Sequence, residues 1–288
     1  MMINKKKLTK KGWVVRISLY LILVTLAVIL LFPYVFMVMR GLMTNTRFKS
    51  PDMHIFPDTF MFLNYVKAFS SGGYFRPLLN SLMVCAIVGI ATPLSSLLAA
   101  FAFARIKWFG RNVVFALVLS TLMLPGIVTQ VPLFVMYNSF GMLDTLYPLY
   151  VPSILFGGAM NIFLARQFLI SHPTELYESA RIDGASTFKQ FISIAIPLSK
   201  AIFIYIGISA VIGAWGDYYT PSIYTLTSEG PKTFAYALFK NLNSNYDNID
   251  HPEWIFAACT VLSIVPGVLY AVFQKYLVQG IATAGLKG

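Results

Sequence analysis

Few residues in this chain can do chemistry, and several of them lie together. Three of its eleven acids, Glu175, Glu178 and Asp183, share one polar stretch with Arg181, from Pro173 to Pro197, within an otherwise apolar second half. A membrane enzyme, such as a transferase acting on lipid-linked sugars, would need a cluster of this kind for proton transfer. The spacing points to another use. Pro173 fits a first helical position, Glu175 and Glu178 suit the positive start of a helix, and Gly184 fits a left-handed stop. Ser186 can cap a second short helix running toward Pro197. Two short polar helices joined by a sharp turn suggest a docking surface; a capped amphipathic loop helix with no partner is the plainer alternative.

The other chemical devices are missing. The chain has no G-x-x-x-x-G-K-[ST] and no G-x-G-x-x-G after a strand, so it holds no nucleotide by those means. His54, His172 and His251 are far apart, at the edges of apolar segments, and read as interfacial residues. They do not make a metal site. Cys85 and Cys259 both fall in apolar segments and read as packing residues, not a disulfide.

The elements that must position the polar stretch are membrane spans. The chain is 57% hydrophobic and 11% charged over 288 residues. A soluble domain carries about 25% charge, which excludes that class. Uncharged runs mark Ile17–Met39, Pro77–Ala104, Asn112–Leu143, Thr145–Ala165, Ala201–Gly216 and Trp254–Gln274. A span needs about 20 apolar residues, so six is the natural count. The fifth run is short, and its helix is expected to begin near Ile192, with Lys200 snorkelling to the interface. A signal peptide is the rival reading of residues 1–40. The 23-residue apolar run, with no small-residue cleavage site after it, speaks for a retained span. Prolines at 33, 93, 125, 132, 152 and 266 predict kinked helices around a cavity.

The net charge of +11 could suggest nucleic acid, but its distribution decides otherwise. With the N-terminus inside, the inner segments hold 15 basic and three acidic residues, and the outer segments seven basic and eight acidic. This places both ends and the Pro173–Pro197 knuckle in the cytoplasm. No charge falls mid-span on this assignment, whereas an ion-coupled carrier would keep at least one. Uphill transport would then draw its energy from a partner. The outer segments 40–76 and 217–253 are too short for domains with their own cores. The second is either a plain connection or a contact with something extracytoplasmic.

At the knuckle the sequence resembles the permease subunits of binding-protein-dependent ABC importers. Their signature runs E-A-A, three residues, G, nine residues, I-x-L-P. Here Glu178, Ser179 and Ala180 are followed at those spacings by Gly184 and by Ile194 to Pro197, with Ser179 and Ile196 departing conservatively. The form A-R-I-D-G-A, Ala180 to Ala185, is most similar to the carbohydrate-uptake branch, in particular its shorter maltose-type subunits. The stretches R-P-L-L-N-S-L at 76–82, A-F-A-F-A-R at 100–105, F-G-R at 109–111 and G-x-x-x-x-G-x-K-G at 280–288 agree.

The resemblance implies an all-α integral membrane protein with six transmembrane helices, in the type I ABC importer permease architecture. Its parts would be a cytoplasmic arm (1–13), a first span (14–39), an extracytoplasmic segment (40–73), a transmembrane core (74–275) with its coupling helix at 173–192, and a cytoplasmic tail (276–288). The implied partners are a second permease subunit in a heterodimer, two cytoplasmic ATPases and an extracytoplasmic solute-binding protein, in a bacterial or archaeal cytoplasmic membrane. ATP and Mg would sit on the ATPase, and this chain would bind no cofactor. Glu178, Ser179, Ala180, Arg181, Asp183, Gly184, Ala185, Ile194 and Pro197 would couple to the ATPase. Trp215, Tyr218, Tyr219 and Tyr224, near the family's aromatic W-N-x-[FY] stretch, are candidates for contact with sugar or with the binding protein. This chain reads Trp215-Gly216-Asp217-Tyr218 there and lacks the Asn, and most of these rings read as interfacial belt residues. The cargo would be a mono- or oligosaccharide. A peptide, amino acid or other small solute is the alternative, and a self-sufficient carrier or channel a further one.

Overall fold

The structure, a computed structural model, describes residues 10–227, 229–243 and 249–285. Residues 1–9 of the basic arm, Asp247 and the last three residues of the C-terminal motif, with Lys287, lie outside the described residues. Every regular element among the described residues is helical. In chain order they are α1 (Lys10–Gly41), α2 (Asn45–Phe48), α3 (Leu63–Ser70), α4 (Phe75–Arg105), α5 (Arg111–Ser120), α6 (Gly126–Ser139), α7 (Tyr147–Leu155) and α8 (Ala159–Ile170). There follow α9 (Glu175–Ile182), α10 (Thr187–Gln190), α11 (Ile196–Leu198), α12 (Lys200–Gly216), α13 (Tyr219–Tyr224), α14 (Phe234–Leu242) and α15 (Pro252–Gly285). Four helical segments are long and apolar enough to cross a membrane, or up to six if each of two bent pairs is one span.

Two compact units are present. The first comprises residues 1–72 and 245–261. In it every residue of α1 from Val15 to Val35 is exposed, which suits a helix surrounded by lipid or by another membrane chain. The C-terminal carbonyls of α1 are capped by buried Asn64, whose Nδ2 donates to Gly41 O (3.1 Å) and Met43 O (2.8 Å). The Glu253 carboxylate is buried and paired: Asn45 Nδ2 donates to it at 2.9 Å and His251 Nδ1 lies 2.9 Å from it. His251, stacked on Trp254 at 3.9 Å, is therefore part of a polar clasp as well as an edge residue.

The second unit comprises residues 73–244 and 262–288, and α4 is its mast. Buried Leu97, Phe101 and Phe103 on α4 pack with Ile162 and Leu169 on α8 and Ile202 and Ile206 on α12. A Cβ on Gly207 would stand 2.8 Å from Gly89 O, so α4 and α12 cross at the backbone, as small residues permit in membrane bundles.

Two of the apolar runs bend sharply, and a third is interrupted without a sharp bend. The run 112–143 is split at Leu124–Pro125 into segments bent by 104°. Pro125 lacks an N–H and pushes Leu124 into extended backbone (ψ 120°), which ends the helix. The run 145–165 becomes α7 and α8, interrupted at Phe156–Gly158. Serines of α4 satisfy the carbonyls freed there: Ser95 Oγ donates to Ser153 O (2.7 Å) and Ser96 Oγ to Gly157 O (3.0 Å). The fifth helix does not begin near Ile192. It starts at Lys200 after a 79° bend. Pro197 cannot close a normal turn, and the five residues before Ile196, Phe191–Ala195, widen into a π-type turn.

At the end of unit 2 away from Arg105, Asp144 makes a second clasp. Its Oδ1 accepts the N–H groups of Leu226 (2.7 Å) and Thr227 (2.9 Å) and the Thr227 hydroxyl (3.1 Å). The Thr227 N–H above all, then the Leu226 N–H and the Thr227 hydroxyl, hold its carboxyl below the ordinary carboxylate value. The clasp is thus present above the unfolded value of about 3.9 and lost as pH falls through the lower folded value. Asp144→Ala is expected to speed amide exchange at Leu226 and Thr227 about tenfold at neutral pH. Unchanged exchange would mean that the clasp does not hold this connection.

Candidate functional site

The polar stretch folds as two short helices around a left-handed turn. Helix α9 carries Glu175 and Glu178 in its first turn and Arg181 in its last, each at the end its charge favours. It starts two residues later than the proline suggested: Thr174 occupies the cap, and Pro173 precedes it. Gly184 has φ +76°. Its N–H donates to Arg181 O (3.1 Å), and the N–H of Ala185 donates to Ala180 O (2.8 Å). This pair of bonds is a Schellman closure, which satisfies carbonyls that the helix end would otherwise strand. Ser186 Oγ then accepts the Lys189 N–H (3.2 Å) and caps α10. Gln190, buried, donates back to Ala185 O at 3.0 Å.

Two aromatic side chains root this knuckle in the bundle. Tyr177 of α9 and Phe191, just after α10, are both buried and flank Phe101 of α4 at 6.2 and 5.4 Å between centroids. The Tyr177 hydroxyl shares a 2.9 Å hydrogen bond with His172 Nδ1. Burial, and then the charge of Arg105, hold His172 below its ordinary value, so the ring is neutral at neutral pH. His172 is buried and is not the interfacial residue its place in the sequence suggested.

The opposite face of the knuckle is open. Glu178, Ser179, Arg181, Asp183, Gly184 and Pro197 are exposed, while Ala180, Ala185 and Ile194 are half-buried. Beside these polar groups stand two apolar side chains with no cover, Ile182 at 87% and Phe188 at 66% exposure. The motif thus runs from α9 through the turn to α11, exposed around the turn itself, and its Ile194 packs against the core below. Charged groups around bare apolar side chains on a rigid base can grip a protein partner.

The aromatic residues at the far end of α12 separate into two pairs. Trp215 is 2% exposed, and its indole N–H donates to Leu262 O at 2.7 Å. Tyr224 is buried edge-on against Tyr137 at 5.1 Å. Both side chains are packed into the bundle. Tyr218 and Tyr219 are exposed; Tyr218 stacks on Phe239 at 4.4 Å, and the Tyr219 hydroxyl lies 3.1 Å from Gln130 Oε1. Part of the connection 217–253 belongs to the core, because Phe234 to Leu238 of α14 are buried. Cutting out residues 234–245 would therefore remove core as well as any outer contact.

Comparison with known proteins decides what this frame belongs to. Residues 91–283, which include the whole knuckle, match the family model of the binding-protein-dependent transport system inner membrane component. The chain is a member of that family. It is 29% identical, over 96% of its length and 97% of theirs, to an arabinooligosaccharides transport system permease protein of Bacillus subtilis. It is also 29% identical to a trehalose/maltose transport system permease protein of Thermococcus litoralis, over 95% of this chain and 97% of that one. Its fold matches a chain of a bacterial ABC transporter involved in the import of alginate, with TM-score 0.77, 20% identity and coverage of 94% and 99%. As a member of this transport family, the chain is a multi-pass permease component of the membrane. Sequence reasoning missed the anchoring of the knuckle by Arg105, His172 and Tyr177: Arg105 stood out only as an inner charge and as the end of A-F-A-F-A-R, and His172 only as an edge residue.

Proposed function

We propose that this permease is the translocation subunit of an ATP-driven importer for a mono- or oligosaccharide handed over by an extracytoplasmic binding protein. The observation that carries this reading is the rooted knuckle, with Ile182 and Phe188 bare beside Glu178, Arg181 and Asp183. A cytoplasmic ATPase that seats this turn would move it as a solid piece. The carbohydrate cargo rests on the relatives, whose names specify arabinooligosaccharides and trehalose or maltose. On this reading ATP and Mg stay on the two partner ATPases, and a second permease subunit completes the pathway as a heterodimer. Tyr218 and Tyr219 are the ring faces left for sugar or for the binding protein.

The six-span count, with both ends in the cytoplasm and the segment limits 14–39, 40–73, 74–275 and 276–288, belongs to the same proposal. Contacts within unit 2 support it. Arg105, at the end of α4, bonds to His172 after α8, and Asp144, after α6, bonds to the connection after α13. Alternate connections therefore meet at alternate ends, as they do when each bent pair crosses once. The mechanism follows from the stiffness of the frame. ATP-driven closure of the ATPase pair draws the two knuckles together, and the packed helices rock between inward-facing and outward-facing states. ATP can shift that balance only through contacts that differ between the two states, and the knuckle supplies them.

The test is the ATPase rate of the reconstituted complex, with its binding protein, across a panel of mono- and oligosaccharides. Stimulation by one group of sugars is expected. Stimulation by peptides or amino acids alone would move the cargo to another class.

A further inference from the structure

We propose that Arg105 is a positioning residue of the transport step, the joint through which displacement of the knuckle reaches α4 and α8. This rests on the permease function proposed above. Arg105 is the last residue of α4, and its one side chain touches three parts of the chain. Nη2 donates to the carbonyls of Leu169, near the end of α8, and of His172 (2.7 Å), in the turn after it. Nη1 reaches Thr174 Oγ1, at the cap of α9, at 3.5 Å. The guanidinium carbon lies 4.3 Å from the centre of the Tyr177 ring.

These contacts share a character. They are carbonyls, a hydroxyl and an aromatic face, each needing a set direction and distance, and none is a carboxylate that would hold at long range. The guanidinium is a planar fork, so it can stack on Tyr177 while its edge serves two carbonyls. Carbonyls at a helix end carry partial negative charge, and at α8 Nη2 adds a second donor to Leu169 O, which also accepts the His172 N–H at 3.2 Å. Tyr177 completes the closure, since its ring also packs on Phe101, one turn before Arg105. A push on α9 therefore loads Tyr177, then Arg105, then the inner ends of α4 and α8 together. Without the fork, α9 keeps its exposed docking face and its Schellman turn, but its motion is taken up at the turn between α8 and α9.

The two roles separate experimentally in the full complex of both permeases, the ATPases and the binding protein, reconstituted in vesicles. The readouts are co-purification of the ATPase and sugar moved per ATP hydrolysed. Arg105→Lys keeps the charge and loses the fork. It is expected to retain the ATPase, to keep binding-protein-stimulated hydrolysis within about twofold, and to move about tenfold less sugar per ATP, within the usual span of coupling energies. Tyr177→Phe keeps the stacking face and is expected to stay within about twofold of the unmodified ratio. An unchanged ratio in Arg105→Lys overturns the proposal. Loss of ATPase retention in Arg105→Lys also overturns it, by making Arg105 a folding residue. If the unmodified complex itself shows no binding-protein-stimulated hydrolysis, it is the permease reading that fails.

Discussion

Replacing Gly184 by Val uncouples ATP hydrolysis from sugar uptake, while replacing it by Asn preserves most uptake. The expectation comes from backbone conformation and not from crowding. Gly184 sits at φ +76°, and a Cβ built there meets nothing within 4 Å. The penalty is therefore conformational, about 1–2 kcal/mol for an ordinary L-residue in left-handed backbone and more for a β-branched one. Asn tolerates that region. Valine would pull the residue out of it and open the two closing bonds, Gly184 to Arg181 and Ala185 to Ala180. The turn then presents α9 and α10 at a different angle, and Ile182 and Phe188 no longer face one partner. Uptake into reconstituted vesicles is expected to fall about tenfold or more with Val, in line with the cost of a lost left-handed turn. Equal uptake by the Val and unmodified proteins would remove the turn from the coupling account.

Gly157→Ala is expected to be the most damaging single methyl group in the bundle. Here both conformation and space oppose a side chain. Gly157 has φ +61°, and an added Cβ would lie 2.6 Å from the Ser96 backbone nitrogen and 2.7 Å from Ser95 Oγ. Backbone of the central helix cannot move aside as a flexible side chain can. Overpacking of this kind costs about 1–3 kcal/mol, and left-handed backbone about 1–2 kcal/mol more. The break between α7 and α8 is held by hydroxyls aimed at carbonyls, so displacing Ser96 also strips its bond to Gly157 O. The variant should melt markedly below the unmodified protein in detergent and accumulate less in the membrane. Ser96→Ala should do far less, because Asn161 Nδ2 still reaches Gly157 O at 2.8 Å. A Gly157→Ala protein that melts with the unmodified one would contradict the packing described for α4.

What could be read in the sequence was what local chemistry writes there. Gly184 and Ser186 announced a stop and a cap, and both act so in the structure. The apolar runs announced membrane helices and their prolines, Pro125 among them, announced kinks, but the 104° angle depends on how the following helix packs. Pro197 lies outside the runs, and the 79° bend before Lys200 was not announced. The break at Phe156–Gly158 was invisible because the groups that make it tolerable, Ser95 and Ser96, lie some 60 positions away in sequence. The aromatic cluster after α12 misled for a related reason. Trp215 and Tyr224 look like interfacial rings by composition, and only tertiary packing reveals them as core. Arg105 was counted as one inner charge among fifteen, because its partners, Leu169 to Tyr177, are distant in the chain.

The central claim is that the open face of the knuckle is seated in a cytoplasmic ATPase. Ile182, at 87% exposure, is the side chain that should enter that seat. An Ile182→Cys protein lacking Cys85 and Cys259, co-expressed with its partners and treated in membranes with a short thiol crosslinker, tests it directly. The account predicts a crosslink to the ATPase subunit whose yield changes when ATP is trapped there. Absence of that crosslink, together with labelling of the new cysteine by a membrane-impermeant thiol reagent added outside intact cells, would contradict it.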